Sequence, residues 1–75
     1  MSDLNYGEKA VGYSFNPSGE PAVAWLKQKY AEIIQHCHEA RANDASDERK
    51  RLWSIAITEA QAAQMWAVKA QTWQD

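Results

Sequence analysis

With one cysteine, Cys37, in 75 residues, the chain cannot close a disulfide on itself, and that usage fits a reducing compartment. Met1-Ser2-Asp3-Leu4 lacks the basic stretch and apolar core of a secretory signal, and no uninterrupted apolar run reaches the roughly 18 residues needed to span a bilayer. The expectation is a cytoplasmic protein with no membrane partner. Glycine is also sparse, three in all. There is no Gly-rich phosphate loop, no nucleophile with a base at triad-like positions and no ligand set for a catalytic metal. The chain is expected to be no enzyme and to need no cofactor. Positive charge is not in excess either. Eight Lys and Arg against ten Asp and Glu leave −2, which argues against binding extended nucleic acid but leaves room for a few cations converging on a small anionic ligand.

What the chain has is hydrophobic surplus. Between Leu52 and Trp73 the only formal charges are Glu59 and Lys69, and alanines, isoleucines and tryptophans point all around the helical wheel. A surface helix of a small monomer shows one apolar and one polar stripe. A chain this short buries too little surface alone to be comfortably stable. Copies of the same chain are expected to cover the excess, as a homo-oligomer.

The organisation predicted is one all-α domain over residues 1–75, an antiparallel helical hairpin with a short N-terminal arm. Residues 1–17 hold Gly7, Gly12, Pro17 and spaced Leu4, Tyr6, Tyr13 and Phe15, which reads as an extended arm rather than a helix. Phe15-Asn16-Pro17-Ser18-Gly19 reads as a turn. Helix one is expected over 18–41, with Ser18 as cap and Pro21 in its first turn. Val23, Leu26, Tyr30, Ile33, Cys37 and Ala40 recur at intervals of three and four, a narrow packing seam. A short polar connector, Ala42-Asn43-Asp44-Ala45, makes the helices antiparallel neighbours. Helix two is expected over 46–74, starting near Asp44 or Ser46. Its small seam is Leu52, Ala56, Ala60, Ala63, Ala67 and Ala70. That leaves Trp53, Ile57 and Met65 on one flank, and Ile55, Trp66 and Trp73 on another, as subunit interfaces.

The turn Phe15-Asn16-Pro17-Ser18-Gly19, followed by Arg51-Leu52-Trp53-Ser54-Ile55-Ala56-Ile57-Thr58-Glu59 and Gln64-Met65-Trp66-Ala67-Val68-Lys69-Ala70, resembles the helical-hairpin domain shared by two phage anti-defence sponges. These are the second anti-CBASS protein and the first Thoeris anti-defence protein. The resemblance covers roughly residues 11–73. It implies a hexamer that sequesters cyclic di- and trinucleotide immune messengers without cleaving them, or, in Thoeris-type members, cyclic ADP-ribose isomers. It also implies separate sites, with dinucleotides between protomers and trinucleotides near a three-fold axis.

A cyclic dinucleotide needs flat surfaces for its bases, a cation for its phosphates and amide groups for base edges. The resemblance assigns stacking to Phe15 and base-edge contact to Asn16, with Pro17 in the same turn; Tyr13 is a second stacking candidate. Lys27 or Lys29 supplies the phosphate cation. Arg51 and Thr58 are further candidates. Lys69 is expected either to pair with Glu59 of another subunit or to face a central anion. His36-Cys37-His38 suggests a metal on composition, but consecutive helical residues diverge by about 100 degrees, and Glu32 with His36 gives only two ligands, short of a metal site. A structural oligomerisation module without ligand would need the helices alone.

Overall fold

The computed structural model describes residues 3–17 and 19–75, which form three helices, α1 over Tyr6–Ala10, α2 over Pro21–Ala42 and α3 over Asp47–Thr72. The all-helical hairpin expected from the sequence is α2 against α3. The extended arm is not observed as such, because it contains α1. Its origin is local: the Asn5 side chain accepts from the Glu8 amide at 2.8 Å, and the Glu8 carboxylate accepts from the Asn5 amide at 2.9 Å. This is a capping box in which two orphan donors are satisfied reciprocally. Gly12, at φ 62°, ends the helix. Its amide donates to the Lys9 carbonyl at 3.1 Å and that of Tyr13 to Glu8 at 2.9 Å, the paired bonds of a left-handed C-terminal cap.

α1 packs on α2 almost backbone to backbone. A Cβ on Gly7 would overlap the Ala31 carbonyl and crowd the Gln35 amide, and the Gly7 amide donates to Gln35 Oε1 at 3.0 Å. Gly7→Ala is therefore expected to lift α1 from the hairpin and cost about 1–3 kcal/mol, as overpacking does. The midpoint of urea unfolding checks this; an unchanged midpoint would mean that α1 contributes nothing to the folded state.

α2 begins at Pro21, the first-turn position expected for it, with Glu20 at the N-cap; Ser18, expected as the cap, lies outside the described residues. α3 is capped by Ser46, whose side chain accepts from the Arg49 amide at 3.2 Å. In the connector, Asp44 accepts from the Ser46 amide. That bond, reinforced by Arg49, holds the Asp44 carboxyl below the ordinary carboxylate range.

The buried faces are rotated from those the spacing predicts. In α2 the buried residues are Val23, Lys27, Ala31, Ile34 and Cys37; Ile33, assigned to the seam, is 53% exposed. The reason is that α2 has two partners, α1 over Ala31 and Gln35 as well as α3, so its most enclosed strip lies between them. In α3 Ile57 and Gln64 are buried, whereas Leu52, Ala63 and Ala70 of the expected seam are exposed. Ile57 and Trp53, expected at a subunit interface, belong to the hairpin. Ile57 sits in the core with Val11, Ala31, Ile34 and Cys37, and Trp53 packs against it. The Cα trace extends 46 × 32 × 13 Å. The molecule is therefore flat, its shortest Cα dimension less than half of either other. Leu52, Ile55, Met65, Trp66 and Trp73 of α3 remain exposed.

Candidate ligand-binding groove

At the end of the hairpin near the start of α2, the turn after α1 meets the last turns of α3. A groove of about 290 Å³ lies between them, lined by Phe15, Asn16, Pro17, Val23, Lys27, Val68 and Thr72. Its cation is unusually enclosed. Lys27 is only 5% exposed, because the buried strip of α2 carries its side chain under the turn. The ammonium donates to the Gly12 carbonyl at 3.0 Å and to the Phe15 carbonyl. Loss of hydration lowers the Lys27 pKa below the ordinary lysine value. The same ammonium lies 5.3 Å from the centre of the Phe15 ring, within cation–π range.

Phe15 itself is 71% exposed. A large ring left in water beside a buried cation has one face available for stacking on a planar ligand. Asn16 is tied into the turn, its side-chain amide donating to the Glu20 carbonyl at 3.2 Å and its carbonyl accepting from the Gly19 amide at 3.1 Å. Gly19, at φ 66°, takes the left-handed backbone that lets the chain turn into α2. The arrangement offers an aromatic face, a positive charge and an amide-bearing turn along one open edge. Among the described residues that line it, the one hydroxyl, that of Thr72, donates to the Val68 carbonyl and not to a base.

Residues 8–72 match the family described as Acb2/Tad1, hairpin domain. The chain belongs to that family. Comparison with curated proteins and with solved structures found no match. Membership of the Acb2/Tad1 hairpin family carries a sponge-type, ligand-binding role in anti-defence. The matched segment starts inside α1 and ends at the last residue of α3, so it takes in every residue that lines the groove.

Within this Acb2/Tad1 hairpin, four of the nine candidate residues, Phe15, Asn16, Pro17 and Lys27, converge on the groove. The other five do not reach it in the single chain. Tyr13 lines a separate hollow of about 390 Å³ with Asn5, Glu8, Gln28, Glu32 and His36 among its neighbours. Lys29 pairs with Glu32 at 3.7 Å and lies 6.0 Å from the Trp25 ring. Arg51 pairs with Glu48 at 2.7 Å near the connector. The Thr58 hydroxyl donates back to the Ser54 carbonyl at 3.2 Å. Lys69 lies 5.3 and 5.8 Å from the Trp66 and Trp73 rings. The His36-Cys37-His38 side chains go three ways: His36 meets the edge of Trp53, Cys37 is buried in the core, and His38 stacks on Tyr6 at 4.1 Å.

Sequence reasoning missed the groove's far wall, Val68 and Thr72, and the Gly12 carbonyl. Folding the two long helices back about the connector sets 68 opposite 23, so Val68 could have been found by counting outward from Ala45-Ser46. A backbone carbonyl leaves no such signal.

Proposed function

We propose that this chain is a non-catalytic sponge that captures cyclic di- and trinucleotide messengers of bacterial CBASS-type immunity in the host cytoplasm and keeps their effectors silent. The observation that carries this reading is the exposed Phe15 ring held beside the enclosed Lys27 ammonium at the mouth of an open groove. Base stacking on an aromatic contributes about 1–3 kcal/mol, and the cation and the turn supply phosphate and base-edge recognition. The groove is open along one edge, so a second protomer completes the pocket. Tyr13, Lys29, Arg51 and Thr58 would then act from neighbouring protomers or at a second, axial site, while Lys69 takes the first of its two expected roles and pairs with Glu59 of another subunit. The flat shape and the uncovered tryptophans support assembly, for which we propose a homohexamer.

Three ligands test the proposal: a cyclic dinucleotide, a cyclic trinucleotide and a cyclic ADP-ribose isomer. One of the first two is expected to raise the melting temperature and to be recovered intact after the protein is denatured. A shift with cyclic ADP-ribose alone would move the target to Thoeris defence. Fragmented ligand would make the protein an enzyme, and no shift with any of them would leave an oligomerisation module.

A further inference from the structure

α3 carries a second seam, on the side away from α2. Leu52, Ile55, Glu59, Ala62, Trp66, Lys69 and Trp73 follow one another at steps of three and four, and all seven are exposed. The residues facing the hairpin, Trp53, Ile57, Ala60 and Gln64, are buried or half-buried. Such alternating spacing is the pattern of knobs-into-holes packing between helices. The exposed face also displays a hole. A hollow of about 270 Å³ is lined by Ala62, Met65, Trp66 and Lys69, positions i, i+3, i+4 and i+7, the four-residue diamond that receives a knob from a facing helix.

We infer that this face docks against the same face of a second copy of the chain, antiparallel, about a two-fold axis that passes α3 near residue 64. The sequence itself selects the occupant and the register. With the axis there, Glu59 faces Lys69 of the partner subunit, and Lys69 faces Glu59 of the partner subunit, so the only two charges between Leu52 and Trp73 neutralise each other. In the same register Ala62 faces Trp66 of the partner subunit, which places the indole in the hollow around Ala62, and Ile55 faces Trp73 of the partner subunit. Small meets large at Ala62 and Trp66, plus meets minus at Glu59 and Lys69, and Ile55 with Trp73 closes an apolar layer outside them. A two-fold interface needs this self-complementarity, in which residue i contacts j and j contacts i. The Trp66 and Trp73 rings already lie within cation–π range of the Lys69 ammonium, and together they would shield the ion pair from water.

This inference rests on the oligomer of the proposed function and not on its ligand, so it is tested without ligand. Light scattering on the full chain would be compared with that on Glu59→Lys, Lys69→Glu, the double variant Glu59→Lys/Lys69→Glu, and an equimolar mixture of the two single variants. Each single variant places like charges opposite one another twice and is expected to lose the wild-type assembly, with mass falling about twofold or more. The double variant and the mixture both restore opposite charges in every layer and are expected to recover the wild-type mass. Unchanged mass in the single variants, or failure of both the double variant and the mixture to recover it, would overturn the register. Far-UV circular dichroism distinguishes lost assembly from lost fold. If the seam fails while messengers are still captured intact, the sponge reading stands. If the wild-type chain is a monomer, seam and intersubunit pocket fail together.

Discussion

Replacing Lys27 by methionine is expected to reduce capture of a cyclic dinucleotide on the order of 100-fold while leaving the melting temperature nearly unchanged. The two readouts separate because the ammonium has two tasks. Its bonds to the Gly12 and Phe15 carbonyls hold the turn that presents Phe15, and hydrogen bonds to charged groups contribute roughly 1.5–3 kcal/mol each. With about 1.4 kcal/mol per tenfold in affinity, loss of either the turn's organisation or the phosphate contact accounts for a large fall. Stability responds differently. Burying an ammonium carries a desolvation cost, seen here as a lowered pKa, that offsets much of what its two bonds contribute. In the variant an apolar side chain of similar length fills the same space, while the Gly12 and Phe15 carbonyls, both in exposed residues, bond to water instead. The check is calorimetric titration together with amide exchange of the ligand-free protein, in which residues 12–16 should exchange faster in the variant. Unaltered exchange there would mean that Lys27 does not organise the turn. A large drop in melting temperature would make it a stability residue instead.

The hairpin was legible because its signals are local: Ser46 before Asp47 and Glu48, Pro21 in a first turn, and a polar connector between two long apolar-periodic stretches. The phase of the buried face was not. Ile33 and Ile34 are adjacent and identical, so a three-four repeat runs through either one. The repeat that the fold uses passes through Lys27, a residue that pattern reading counts as polar and places outside. α1 was hidden for a related reason. Gly7 looks like a helix breaker, yet its missing side chain is what allows α1 to lie against the α2 backbone. The Asn5 and Glu8 pair that starts the helix was present in the sequence as a capping box. Phe15, Asn16, Pro17 and Lys27 were picked out by resemblance and by residue chemistry. Their convergence with Val68 and Thr72 depends on how the whole hairpin closes, which no local spacing encodes.

The adjacent isoleucines also give the sharpest test of that closure. Ile34→Ala is expected to lower the melting temperature by about 10 °C or more, and Ile33→Ala by far less. Ile34 is 0% exposed and packs in the cluster with Val11, Ala31, Cys37 and Ile57, where α1, α2 and α3 meet. Truncating a fully buried isoleucine costs roughly 2–5 kcal/mol, because the cavity only partly collapses. In a domain of this size each kcal/mol moves the midpoint by roughly 4–8 °C. Ile33 lies on the open side of α2, where substitutions usually stay within about 0.5 kcal/mol. Any larger effect there has to come from a neighbouring copy and must therefore grow with protein concentration, which the Ile34 effect on the single hairpin does not require. Thermal melts followed by circular dichroism at two concentrations separate the cases. If Ile33→Ala is the more damaging at both, the buried face of α2 is the one through Leu26, Tyr30 and Ile33. Lys27 would then be turned away from the Gly12 carbonyl, and the groove as described would not form.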